Sequence, residues 1–460
     1  MKMNLVEIAK VVSAKNDVND YGDVEVTSVA FDSRNLKQGA LFVPLTGNQD
    51  GHRFINSAID NGASAAFWAS DHSDQPTGFP LLVVDDPLKA LQALSSYYLK
   101  KINPQVVAIT GSNGKTTTKD MVASILATQF NVTKTHANFN NEIGVPVTIL
   151  SMEANTEVLV VEMGMDRPGQ LSFLSRLVQP DVAIITMIGE AHIEFFGTRD
   201  KIADAKMEIL NGLKEDGTFI YDGDEPLLKQ RASKVDFKEL TFGRNGVNTI
   251  YPTVINDRTD QTNFVTNMWK DFSFTIPMIG EYNVNNALAA ILTGSLFQIR
   301  PEFIRQGLQH VNLTANRAEW IHGQQGELIL SDVYNSNPTA AREVLQAFSE
   351  VPTDGRRIAV LGDMLELGDQ SKQMHESLIG SLNPNVIQEV FLIGTDMAAL
   401  RYKLIASYES KAVHYYQADQ LAQLAHDLQA DVNSDDILLL KASHGIHLES
   451  VLSTLVNGNE

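Results

Sequence analysis

Residues 106–117, Val-Val-Ala-Ile-Thr-Gly-Ser-Asn-Gly-Lys-Thr-Thr, restrict the folds open to this chain more than any other stretch. The apolar run 106–109 reads as a buried strand, Gly111 and Gly114 bound a tight loop, and Lys115, Thr116 and Thr117 open a helix. A strand that feeds a helix through a glycine loop is a unit of a parallel α/β sheet, and the loop amides converge on phosphate. Gly111, Ser112, Asn113 and Gly114 would supply those amides, Lys115 would reach the β/γ-phosphates, and Thr116, beside Thr117, would ligate Mg²⁺. Ile109 stands where the pattern G-x-x-x-x-G-K-[ST] has its first glycine, so this is a shortened loop. Nucleotide binding is the better reading, with an accidental glycine turn as its rival.

At 460 residues the chain is too long for one core and predicts two to four domains. No apolar run reaches bilayer length, so membrane insertion is not expected. The N-terminal pattern Leu5, Ile8, Val12 includes Glu7 and Lys10, which suits an amphipathic helix and not a signal peptide, and a cytoplasmic protein is expected. The absence of cysteine excludes disulfides, thiolate catalysis and Cys-ligated metals. A net charge of −20 disfavours a nucleic-acid partner.

The predicted fold class is α/β in three domains: a small N-terminal α/β domain over 1–84, a central parallel-sheet ATPase domain over 85–313, and a C-terminal Rossmann-like doubly wound domain over 314–460. Asp85, Asp86 and Pro87 would start the helix that leads into the phosphate-loop strand. The Asn-, Asp- and Thr-rich segment 245–270 would form β-excursions.

Several polar residues follow predicted strands, where open α/β sheets bind ligands. Glu162 ends the run Val-Leu-Val-Val-Glu, and its carboxylate suits a nucleotide-bound Mg²⁺ as well as it suits an ordinary loop. His192 would ordinarily read as a satisfied polar group or a surface residue, but it follows another strand end, which adds weight to metal or phosphate contact. Lys206 lies on a helix beside Glu208, and by spacing alone it reads as a solvated lysine. Ser33, Arg34, Gly47 and Asp50 lie in N-terminal loops dense in Gly, Asp, Ser and Arg, which suit a polar, anionic ligand. Asp332, Asn335 and Asn337 in the string 331–338, with the string 360–368, would orient an amino-acid-like substrate.

Together these strings resemble the ATP-dependent Mur ligases of bacterial cell-wall synthesis, collinearly from Asp32 to Ser443. The strings 138–146 (with Asn138 and Asn141), 332–338 and 361–368 resemble the branch that adds D-alanyl-D-alanine to UDP-N-acetylmuramoyl-tripeptide. The resemblance implies ATP and two Mg²⁺ sites, with Thr116 on one cation and Glu162 and His192 on the second. It implies that CO₂ converts Lys206 to a metal-binding carbamate, against the solvated reading. It places Asn286 near adenine, Arg317 on nucleotide phosphate, Ser33 and Arg34 at the UDP-sugar, and Asp332, Asn335 and Asn337 toward dipeptide or nucleotide. A monomer is expected.

Four positions depart from the family pattern: Met187 and Asp222 where Asn is usual, Tyr282 where His is usual, and His444 where Arg is usual. His444 matters most, because an arginine there would be a permanent cation near the dipeptide carboxylate, whereas an unperturbed imidazole is mostly neutral at pH 7. Two alternatives stay open: a tripeptide-forming or other ligase of the same architecture, and a non-catalytic nucleotide-binding relative.

Overall fold

Asp86 and Pro87 show how local chemistry sets the first long element. The Asp86 carboxylate accepts the amides of Leu88 and Lys89, Pro87 fills the first turn, and the helix Pro87–Ile102 runs until Asn103 turns left-handed before Pro104. This computed structural model describes residues 1–258 and 260–458. The chain forms two packed units: Met1–Thr110 with Gln129–Ile184 and Glu208–Phe219, and Gly111–Thr128 with Ile185–Met207 and Ile220–Glu460.

In the first unit, strands Ser28–Ala30, Ala40–Phe42, Ala63–Ala69 and Leu81–Val84 pair in parallel, in that order. Phe42, Ile55, Ala58, Ala66, Trp68 and Leu81 close its core. The same unit carries parallel neighbours Gln105–Thr110, Val158–Glu162 and Val132–Lys134. Val158 to Glu162 are all buried, as expected of a strand covered on both faces.

In the second unit, Lys115–Leu126 packs against Glu281–Leu296 and Pro301–Gln309. The segment expected to make β-excursions supplies Pro252–Asp257 and Thr262–Thr266, which form an antiparallel sheet with Ser273–Ile276 just beyond it. The C-terminal sheet has the order Glu319–His322, Leu328–Asp332, Ile437–Lys441, Arg357–Gly362, Glu389–Ile393, Val413–Tyr416, parallel except for its first strand. Ile437–Lys441 therefore lies between two strands that precede it in the chain, and Asp332 and Lys441 are register partners at its end. Strand ends at such a reversal of order are where open sheets hold ligands.

Candidate active site

The phosphate loop has the backbone the sequence demands. Gly111 and Gly114 have φ of +155° and +78°. A Cβ at Gly111 would lie 1.8 Å from Thr186 Oγ1, and one at Gly114 would lie 2.3 Å from Asn286 Oδ1. Neighbours therefore pack directly on the loop backbone. Lys115 curls over it, donating to the carbonyls of Gly111 (2.8 Å) and Ser112 (3.3 Å). Ser112 donates its amide to Met187 and its hydroxyl to Gly189, so the departure at Met187 contributes a backbone carbonyl that any residue offers. Thr186 Oγ1 donates to the Asn113 carbonyl. Asn286 bonds Asn283 and accepts from Thr118, so it braces the loop from below.

Residues that flank the first two strands of the C-terminal sheet reach this loop and the segments beside it. Asn113 and Asn337 exchange side-chain amide hydrogen bonds at 2.6 and 3.3 Å. Asn337 also caps Pro338–Glu350 through the Ala340 amide. Arg317 donates to Thr116 Oγ1 at 3.2 Å and lies 3.8 Å over the Tyr334 ring, which stacks on His444 at 5.8 Å. Thr314 donates twice to Asp120, and Thr339 twice to Glu190. Asp332 pairs with buried Lys441 at 2.8 Å, and Lys441 also donates to the Asn335 carbonyl. His192 Nδ1 meets Glu366 Oε2.

Lys206 is buried, contrary to the solvated position that its spacing predicts. Its helix, Arg199–Met207, also buries Ile202, Ala203 and Ala205, so the lysine shares the covered face. Burial pushes the Lys206 amine well below its ordinary range, and the Lys115 ammonium lowers it further. A neutral amine is what reacts with CO₂. Elsewhere in the same unit, the half-buried Asp222 and Glu343 are each pushed up to about 7, chiefly by desolvation. Desolvation, with Asp332 and Glu343 adding to it, also raises the Tyr282 phenol.

In the first unit, Glu162 is buried, and its Oε1 accepts from Asn140 at 2.9 Å. Its Oε2 is buried and has no hydrogen-bond partner. A buried carboxylate oxygen left unsatisfied is costly unless a cation completes it, so this residue fits Mg²⁺. Asn141 accepts the amides of Ile143 and Gly144 and starts Gly144–Leu150, while the Asn138 carbonyl accepts from Asn140. Phe139 of that string meets Phe31 at 5.8 Å, which brings it to the N-terminal segment.

Ser33 is buried, and Arg34 forks onto Asp32 at 2.8 and 2.9 Å, holding that carboxyl down at about 2. The Gly47 amide donates to the Gln49 carbonyl. Asp50 bridges two stacked imidazoles, His52 at 2.7 Å and His72 at 3.0 Å, which hold it down at about 2. These three form the single group of metal-type donors of this size among the described residues. The Ala69 amide donates to His52 Nε2, so His52 Nδ1 carries the proton given to Asp50. Asp50 thus ties its own loop together.

Sequence reasoning missed Asn140, Thr186, Glu190, Thr314, Tyr334 and Glu366. Asn140, Tyr334 and Glu366 lie inside strings already singled out, which was the available signal.

The chain matches three family descriptions: "Mur ligase family, catalytic domain" over residues 25–99, "Mur ligase middle domain" over 109–294 and "Mur ligase, glutamate ligase domain" over 316–444. It is 39% identical to the UDP-N-acetylmuramoyl-tripeptide--D-alanyl-D-alanine ligase of Bacillus subtilis, covering 99% of each chain. Among solved structures, MurF from Acinetobacter baumannii superposes with a TM-score of 0.85 at 28% identity, covering 99% of each chain. MurF ligase from Thermotoga maritima in complex with ADP superposes with a TM-score of 0.80 at 28% identity, covering 94% of this chain and 98% of that one. With its α/β architecture and its nucleotide loop matched from end to end, the chain belongs to the Mur ligase family of ATP-dependent, amide-forming enzymes.

Proposed function

We propose that this enzyme joins D-alanyl-D-alanine to UDP-N-acetylmuramoyl-tripeptide in the cytoplasm, with domains over 1–84, 85–313 and 314–460 receiving sugar nucleotide, ATP and dipeptide. The observation that carries it is the Asn113–Asn337 amide pair, which holds the 332–338 segment against the phosphate loop. That segment would bring an acceptor amine to the place where the γ-phosphate is transferred. The chain's 39% identity to the Bacillus subtilis ligase, over 99% of each chain, supports the same substrates.

In the reaction, a carboxylate oxygen of the tripeptide attacks the γ-phosphorus and ADP leaves, giving an acyl phosphate. The dipeptide amine then attacks the acyl carbon; the C–O bond to phosphate breaks, and the amine gives up its proton. Both reactants of the first step are anions, so the barrier is largely electrostatic. Lys115 and the loop amides hold the phosphates, with Arg317 adding a fixed cation at Thr116. Thr116 would hold one Mg²⁺ and Glu162 and His192 a second, each supplying charge neutralisation and Lewis-acid polarisation when bound. Asn286 keeps Gly114 in place beside the nucleotide, and Ser33, Arg34, Gly47, Asp50, Asn138 and Asn141 shape the loops that receive the sugar nucleotide. Asp332, Asn335 and His444 would face the dipeptide.

We extend the reading to Lys206 as a carbamate, supported by its burial and its depressed basicity beside Lys115. The enzyme incubated with ¹³C-bicarbonate is expected to show one carbamate carbon resonance that Lys206→Ala lacks. An unchanged spectrum in that variant would remove the assignment. The ligase reading is tested by phosphate release from ATP with the tripeptide substrate, with and without D-alanyl-D-alanine. Release that requires both substrates, with pentapeptide by mass, is expected; release driven equally well by another amine would reassign the acceptor.

A further inference from the structure

We propose that Glu366 is a positioning residue for His192, fixing the imidazole so that its Nε2 lone pair is presented to a divalent cation. The inference rests on the reading of His192 as a metal ligand. A carboxylate only accepts, so the 2.5 Å contact from His192 Nδ1 to Glu366 Oε2 places a proton on Nδ1. In the neutral ring this leaves Nε2 as the free donor. Carboxylates that orient ligating histidines in this way tune both ring orientation and basicity.

Three features separate this contact from an ordinary surface ion pair. First, both residues have left-handed backbones, His192 at φ 62° and Glu366 at φ 60°, a conformation that side-chain-bearing residues seldom adopt. Second, the two loops are tied elsewhere: the Glu194 amide donates to the Glu366 carbonyl at 3.0 Å, and Gln370 donates to the Gly197 carbonyl at 3.2 Å. Third, the neighbouring carboxylate has another task. Asp363 accepts the amides of Asp396 and Met397 within the C-terminal sheet, whereas Glu366 points its carboxylate at the histidine.

Exposure decides between holding the fold and holding the ring. The side chains are 28% and 45% exposed, and pairs this wet contribute little to stability. Removing an outer-shell partner of a ligating histidine, by contrast, typically weakens metal affinity by about 10–100-fold.

The test is Mn²⁺ binding, followed by electron paramagnetic resonance, to the full chain with a non-hydrolysable ATP analogue. Parent, Glu366→Ala, Glu366→Gln, His192→Ala and the Glu366→Ala/His192→Ala double variant are compared, with thermal melts to verify folding. Glu366→Ala is expected to weaken Mn²⁺ binding about tenfold or more. Glu366→Gln, which keeps an accepting oxygen, recovers part of that loss, and the double variant binds no worse than His192→Ala. Parent-like binding by Glu366→Ala beside a clear loss in His192→Ala overturns the proposal and leaves the metal reading standing. An added loss in the double variant also overturns it, since Glu366 would then act without His192. Parent-like binding by His192→Ala refutes the metal reading itself, and the proposal falls with it.

Discussion

Replacing Lys115 with Met keeps most of the unbranched side chain and removes the ammonium that closes over the phosphate loop through Gly111 and Ser112. Charge stabilisation in the transferring phosphoryl group depends on that cation, so phosphate release is expected to fall at least about 100-fold while the fold persists. His444 calls for the opposite experiment. Its ring stacks on Tyr334, itself under Arg317, and a guanidinium can stack there as well. His444→Arg would offer the dipeptide carboxylate a permanent cation and is expected to lower the acceptor KM by about 3–10-fold with kcat unchanged, measured by steady-state kinetics. Lys115 was legible in the sequence because its strand, glycines and helix are contiguous, so local spacing carries the chemistry. Lys206 was not: the face of a short helix that becomes covered depends on distant segments, and helical spacing alone predicted a solvated lysine. The contact between His192 and Glu366 spans 174 residues, beyond the reach of any local pattern.

The helix Pro338–Glu350 shows two separable jobs within one element. Asn337 caps it and also clasps Asn113, so Asn337→Ala is expected to cost about 1 kcal/mol in chemical denaturation. It should lower turnover as well, whereas Asn337→Asp should restore the cap without the amide exchange. Glu343, on the same helix, is pushed from 4.5 up to about 7 by desolvation and by the nearby Glu190 carboxylate. A raised acid favours folding relative to its ionised form only while protonated, so its relative contribution is full below about 4.5 and is lost as pH rises through about 7. Glu343→Gln is therefore expected to gain stability over the parent between pH 5 and 8, by on the order of 1–3 kcal/mol at the upper end. Melting curves across that range check it; a difference independent of pH would mean that the carboxyl titrates elsewhere. At this scale the sequence was informative where punctuation is local, as at Asp86 and Pro87 or the β-forming segment 245–270. It was silent on the strand order that inserts Ile437–Lys441 between two earlier strands, because register depends on which apolar faces meet, not on neighbours in the chain.

An enzyme that joins three reactants must let them in and then exclude water, and in the second unit four of the contacts that would have to yield are polar. Asn113–Asn337, Thr116–Arg317, Asp120–Thr314 and Glu190–Thr339 each tie a nucleotide-loop segment to the C-terminal segments. Polar contacts of this kind re-form at little net cost because water replaces each partner. We therefore expect these contacts to break and re-form in each catalytic cycle, coupling reactant entry to alignment. The chain contains no cysteine, so Glu190→Cys with Thr339→Cys would introduce its only two thiols. Bridging them with a short, reducible bis-thiol linker is expected to abolish most multiple-turnover activity, and reduction should restore it in the same sample. Each single-cysteine variant treated with the linker should keep its turnover, which separates tethering from blocking. If the bridged enzyme instead turned over at the rate of its reduced form, the segments would not separate during the cycle, and reactants would have to enter by a route that leaves Glu190 and Thr339 together.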